Sequence, residues 1–233
     1  MSWGQDWGAT LRGAARVCRK DLQIELRTRD VTTTTTLFAV LVVVIASLSF
    51  YLDPLVARKL APGVLWVAIA FAGLLAMGRG WAREREMDAL RGLLLTPLPR
   101  AAIFLGKAAA HLVFLLVVEA IVCPLVAVFF RVNLFEVAGP LALLLVLGSL
   151  GFVLAGTLFG VLTVRTGARD LALSVVVFPL ITPALLGGVA ATRQLFVNDA
   201  GLAELAGWLR ILGAFDLVFL VAGTMLFDAL VRD

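Results

Sequence analysis

Six long stretches almost free of charge, separated by short clusters of Arg, Lys, Asp and Glu, constrain this chain more than any other feature. They fall at about 33–52, 60–77, 102–130, 137–164, 171–191 and 208–230. A hydrocarbon core about 30 Å thick is crossed by about 20 apolar residues of α-helix, and each stretch reaches roughly that length. In lipid a spanning segment bonds its backbone amides internally, which selects helices here. Of the 233 residues 61% are hydrophobic and 15% charged, with a mean hydropathy of +1.02. A soluble domain carries about 25% charge, so one water-facing fold cannot hide this much apolar surface. The expected fold class is therefore an all-α membrane protein, with six transmembrane helices across 32–231 and a separate segment at 1–31. The spans at 102–130 and 137–164 exceed what a bilayer requires and are expected to tilt, kink or project into water.

The polar N-terminal segment differs from a cleaved signal peptide, whose apolar stretch is only 7–15 residues. Here the apolar stretch from Thr33 to Leu52 is long enough to span, and it is expected to remain in the protein. Trp3, Trp7, Leu11, Ala14, Cys18 and Leu22 recur every three or four residues, with Arg12, Arg16, Arg19 and Lys20 mostly off that stripe. The pattern describes an amphipathic helix, lying either in the cytoplasmic interface or against a soluble partner.

Orientation is read from Lys and Arg, which concentrate on the cytoplasmic side of membrane proteins. With the N-terminus inside, the inner segments hold Arg12, Arg16, Arg19, Lys20, Arg27 and Arg29, then Arg79, Arg83, Arg85, Arg91 and Arg100, then Arg165, Arg169 and Arg232. The outer segments hold only Arg58, Lys59, Arg131 and Arg193. Both termini are thus expected in the cytoplasm. The net charge of +4 is spent on flanking apolar runs, which points to lipid headgroups rather than nucleic acid.

The chemistry available is sparse. The single histidine, His111, excludes a multi-histidine metal site within one chain. It stands about ten residues into the third span, either hydrogen-bonding a neighbouring helix or serving as an axial ligand to a bound group. Cys18 and Cys123 lie in different kinds of segment, so a disulfide between them is not expected. Glu119 and Asp216 are carboxyls inside spans, where they either bond within the bundle or line a path. Pro124, Pro179 and Pro183 permit bends. Gly156 and Gly160, with Gly148 and Gly151 nearby, permit close helix approach within the chain or to another subunit. No phosphate-binding loop is present: the only Gly-Lys, Gly106-Lys107, is preceded by Ala101 where the motif needs glycine and followed by Ala108 where it needs a hydroxyl. No catalytic or ATP-binding constellation stands out, so any energy is expected to come from a partner.

The internal segment 79–98 is dense in charge: Arg83, Glu84, Arg85 and Glu86, with Met87, Leu90 and Leu94 spaced as one helical face before Thr96-Pro97. It is either a short helix docking on a cytoplasmic protein or a solvated loop. The string "AREREMDALRGLLLTPLPRAAIFLGK" after a basic amphipathic start resembles the permease subunits of type-2 ABC exporters. The match is nearer to the CcmB family of cytochrome c maturation. It rests on "KDLQIELRTRD" (20–30), "APGVLWVAIAFAGLLAMGRGWAREREMDALRGLLLTPLPRAAIFLGK" (61–107), "FPLITPALL" (178–186) and "LRILGAFDLVFLVAGTMLFD" (209–228). This resemblance implies a bacterial inner-membrane permease whose segment 79–98 contacts a CcmA-type ATPase, where ATP is bound. It further implies CcmC and CcmD as membrane partners, the haem chaperone CcmE as client, and haem as the ligand moved or released. The alternatives are a permease for a lipid, drug or polysaccharide, and a membrane scaffold without coupling.

Overall fold

The computed structural model describes residues 7–49, 54–166 and 170–232, and the side chains of these apart from 54, 55, 162–166, 170–176 and 232. Trp3 and Arg169 therefore lie outside the described residues, as do the side chains of Arg165 and Arg232. Eight helices follow in order: α1 (Trp7–Thr28), α2 (Asp30–Ser49), α3 (Pro54–Glu86), α4 (Ala89–Leu94), α5 (Arg100–Phe130), α6 (Leu134–Thr166), α7 (Asp170–Val197) and α8 (Leu202–Arg232). Six of the described helices, all but α1 and α4, are long and apolar enough to cross a membrane. The chain is a multi-pass, all-helical membrane protein.

The helices start and stop for local reasons. Pro54 opens α3, where a missing N–H costs nothing. Pro99 stands as the N-cap of α5 and, with Pro97, ends the polar interlude before it. Between α1 and α2 a single residue, Arg29, turns the chain at φ 52°. The helices run past the apolar windows that define them in sequence. α3 in particular does not stop near residue 77 but continues to Glu86. Gly78 and Gly80 only weaken a helix by about 1 kcal/mol each, and Gly80 makes room for the His111 ring, whose Nε2 would lie 3.0 Å from a Cβ there.

The core is built on α3, which touches α2, α5, α6 and α7. Large side chains of α3 enter places kept open by glycine. Trp66 is pressed against both Gly148 of α6 and Gly188 of α7, Met77 against Gly156, and Trp81 against Gly160. The Trp66 indole N–H donates to Thr192 Oγ1 at 2.9 Å. Phe152 and Phe104 fill the reciprocal spaces at Gly73 and Gly223. The glycines at 148, 156 and 160 are thus used for packing inside the chain. Lipid offers no hydrophobic gain on association, so such close fits carry the assembly. At one end of the bundle Arg58 pairs with Asp199 at 2.6 Å, joining the start of α3 to the α7–α8 turn. The opposite, basic end carries α1 and α4.

Candidate functional site

At the basic end the polar residues of four helices meet in one junction. Lys107 on α5 is only 3% exposed. Its ammonium donates to Glu84 Oε1 at 2.6 Å and to Asp21 Oδ2 at 3.4 Å, and lies 5.5 Å from the centre of the Trp81 ring. Lys20 adds a second cation, 2.9 Å from Asp21 and 3.8 Å from Glu84. Arg83 reaches the buried Glu25 at 3.5 Å and Asp30 at 3.9 Å, and Arg79 meets Asp30 at 3.2 Å. The other oxygen of Glu25 accepts the Thr32 backbone N–H at 2.7 Å, closing the open N-terminus of α2. A cavity of about 50 Å³ lies among these groups, bounded by Asp21, Glu25, Glu84, Lys107 and His111.

The sequence explains why α1 takes part. Its buried face is Thr10, Gly13, Ala14, Val17 and Glu25. Gly13 sits against Ala102 and Leu98, and Gly106 receives Val17 and the Ala14 carbonyl. The apolar stripe expected from periodicity does not form the contact. Trp7 and Leu11 are exposed, Cys18 and Leu22 are half-buried, and among the described residues of that stripe only Ala14 is buried. Small residues mark the packing face because they let two backbones approach. Burial, and then the negative charge of Asp21, hold the Cys18 thiol above its ordinary pKa.

The polar segment after α3 also departs from the expected single docking helix. Arg83, Glu84, Arg85 and Glu86 belong to the last turn of α3. The chain then turns at Met87 and Asp88, the latter at φ 50°, into the six-residue α4. Leu90 is 5% exposed and belongs to the core, and Leu94 is half-buried. Met87 is instead 73% exposed, and Leu95, which the helical spacing did not single out, is 87% exposed. Met87, Leu90 and Leu94 therefore do not share one outward face, because the turn at Asp88 breaks the helical register that would align them. Arg100 donates to the Leu94 carbonyl at 2.8 Å, fastening the end of α4 to the start of α5. The exposed turn therefore stands directly on the ionic junction, three residues beyond Glu84.

The intramembrane residues separate into distinct environments. His111 Nδ1 is 3.3 Å from Thr157 Oγ1, and its ring is tilted on Trp81 at a centroid distance of 6.2 Å, so it clasps α5 to α6 and α3. Glu119 is buried and accepts the Ser149 hydroxyl of α6. Asp216 is buried on α8 beside Gly151, where a Cβ would stand 2.5 Å from its Oδ1. Ser149 and Gly151 are about 200° apart around α6, so the two carboxyls occupy one level of the bundle on opposite faces of that helix. Both cysteines are free thiols, and no cluster of His, Cys, Asp and Glu suited to a metal occurs among the described residues.

A polytopic helical membrane protein with a helical cap locked to its first internal turn is the class that this arrangement defines. The chain belongs to the CcmB family: the family model described as "CcmB protein" matches residues 12–233. It is 27% identical to Heme exporter protein B of Bradyrhizobium diazoefficiens over 205 residues, 88% of this chain and 90% of that protein. It is also 27% identical to Heme exporter protein B of Haemophilus influenzae over 198 residues, 85% of this chain and 87% of the relative. Similarity to Heme exporter protein B of Escherichia coli (strain K12) reaches 32% over 96 residues, 41% of this chain and 44% of that one.

Proposed function

We propose that the chain is the membrane subunit of an ATP-driven complex serving haem delivery in cytochrome c maturation, and that it converts closure of a partner ATPase into helix movement. The observation that carries this reading is the exposed Met87–Leu95 turn standing on a buried ionic junction. A force applied to that turn reaches α3 through Glu84, α5 through Lys107 and α1 through Asp21, without crossing a flexible linker. The relatives named Heme exporter protein B support haem as the ligand served. ATP binding belongs to a CcmA-type partner, CcmC and CcmD are the membrane partners, and the chaperone CcmE is the client. In this reading the protein sits in the bacterial inner membrane with both termini, and the basic end of the bundle, in the cytoplasm. Glu86, Asp88 and Arg91 then frame the apolar anchors with charges of both signs. His111 is a structural clasp rather than a haem ligand.

The test is co-purification of the ATPase with the full chain carrying Met87→Asp and Leu95→Asp. Loss of an apolar anchor costs on the order of 1–3 kcal/mol of association, so the double variant should lose the ATPase while entering the membrane normally. Leu90→Asp is the poorer probe, because it also damages the core. Full retention of the ATPase and of cytochrome c maturation by the double variant would remove the turn as the coupling surface.

A further inference from the structure

A groove of about 280 Å³ runs between α5 and α6, away from the ionic junction. Its floor includes Glu119 and Cys123, and its exposed rim is formed by Ala120, Pro124, Ala138, Ala142 and Val146. Glu119 is 2% exposed, yet only one of its oxygens is used, by Ser149; Oε2 has no hydrogen-bond partner among the described residues. Pro124, also on the groove, has no N–H to give the Ala120 carbonyl four residues earlier. The groove thus offers hydrogen-bonding capacity in an otherwise apolar channel. In hydrocarbon, water cannot satisfy such groups.

Depth identifies the occupant. Glu119 lies eleven residues from the end of α5 at Phe130, about 16 Å along the helix. That is near the middle of a core about 30 Å thick, beyond the reach of lipid headgroups. An acyl chain reaches the groove but brings no polar group. A transmembrane helix does both, and the three alanines of the rim let such a helix come close. We propose that the α5–α6 groove receives a transmembrane helix of a membrane partner, which places an amide or hydroxyl side chain against Glu119. This docking does not depend on the ATPase reading, since it uses the other half of the bundle.

The experiment places a photo-crosslinking amino acid at Ala142, on the rim, in the full chain expressed with its membrane partners. The expected product joins this chain to a different membrane protein through one of that protein's spanning helices. In the same complex Cys123 should be shielded from a membrane-permeant maleimide at least tenfold more than in the chain purified alone. Glu119→Leu should weaken retention of that partner about tenfold or more, and Glu119→Gln, which keeps a polar group, should restore it. Crosslinks to lipid alone, or to a second copy of this chain, overturn the proposal. So does equal retention of the partner by Glu119→Leu. If Glu119→Leu fails to fold, the Ala142 crosslink and Cys123 shielding decide the matter unaided.

Discussion

The buried charges at the basic end and the buried carboxyls at mid-depth follow opposite rules. Lys107 faces Glu84 and Asp21, with Lys20 beside them, and Arg83 faces Glu25, so that region answers its own charges within the chain. Glu119 and Asp216 have no cation against them among the described residues, and Glu119 Oε2 lacks a hydrogen-bond partner there. Charges taken out of water are costly unless paired, so the two regions cannot be doing the same thing. The first holds four helices in one relative position. The second keeps bonding capacity for something outside the chain or for a proton.

Lys107→Met attacks the first region most directly. It leaves the half-buried Asp21 and Glu84 to Lys20 alone, at an expected cost below the about 3–5 kcal/mol of a wholly unpaired buried charge. Tryptophan-monitored thermal unfolding in detergent should show a clear loss, partly recovered by adding Glu84→Gln. A melt within a degree of the parent protein would erase the contrast between the regions. Asp199→Asn breaks the exposed pair with Arg58 at the far end; exposed pairs contribute only about 0.2–1 kcal/mol, and the same melt should register little. Glu119→Gln in the isolated chain, which keeps an acceptor for Ser149, should cost no more than the net of one hydrogen bond, about 1 kcal/mol. A large destabilisation there would show that Glu119 is already satisfied internally. The smallest effect is kinetic. The raised Cys18 pKa leaves less thiolate near neutrality, so maleimide should alkylate it more slowly than a free thiol, faster as pH rises, and faster at fixed pH in Asp21→Asn.

The spans were legible because a bilayer imposes a length and forbids charge, and both are visible in one dimension. What covers each apolar face was not legible, since lipid and protein interior are equally apolar. Periodicity selected Trp7, Leu11 and Ala14 on α1, but the first two are exposed, and Ala14 makes the contact with Thr10, Gly13 and Val17, which lie off that stripe. Leu90 drew attention as an outward anchor for a similar reason, although it is buried and Leu95 is the exposed leucine. Three consecutive leucines at 93–95 on so short a helix could have given the signal, because they cannot all face inward. In the sequence Lys107 figures only in a Gly-Lys that is no phosphate-binding loop, yet it is the centre of the junction. Its partners Asp21 and Glu84 are 86 and 23 residues away in sequence, and only the fold unites them.

Trp66 is a peg shared by two sockets, Gly148 on α6 and Gly188 on α7. Leu144 and Phe152 on α6, and Ala184 and Thr192 on α7, stand one turn to either side of those sockets on the same helix faces. Shifting α3 along its axis by even one residue, about 1.5 Å, would drive the indole out of both openings and break its bond to Thr192. A piston stroke of α3 past its neighbours is therefore blocked. The travel left to the helix is angular, with the indole as the bearing and the 33-residue length of α3 turning a small rotation into a displacement at its polar tip.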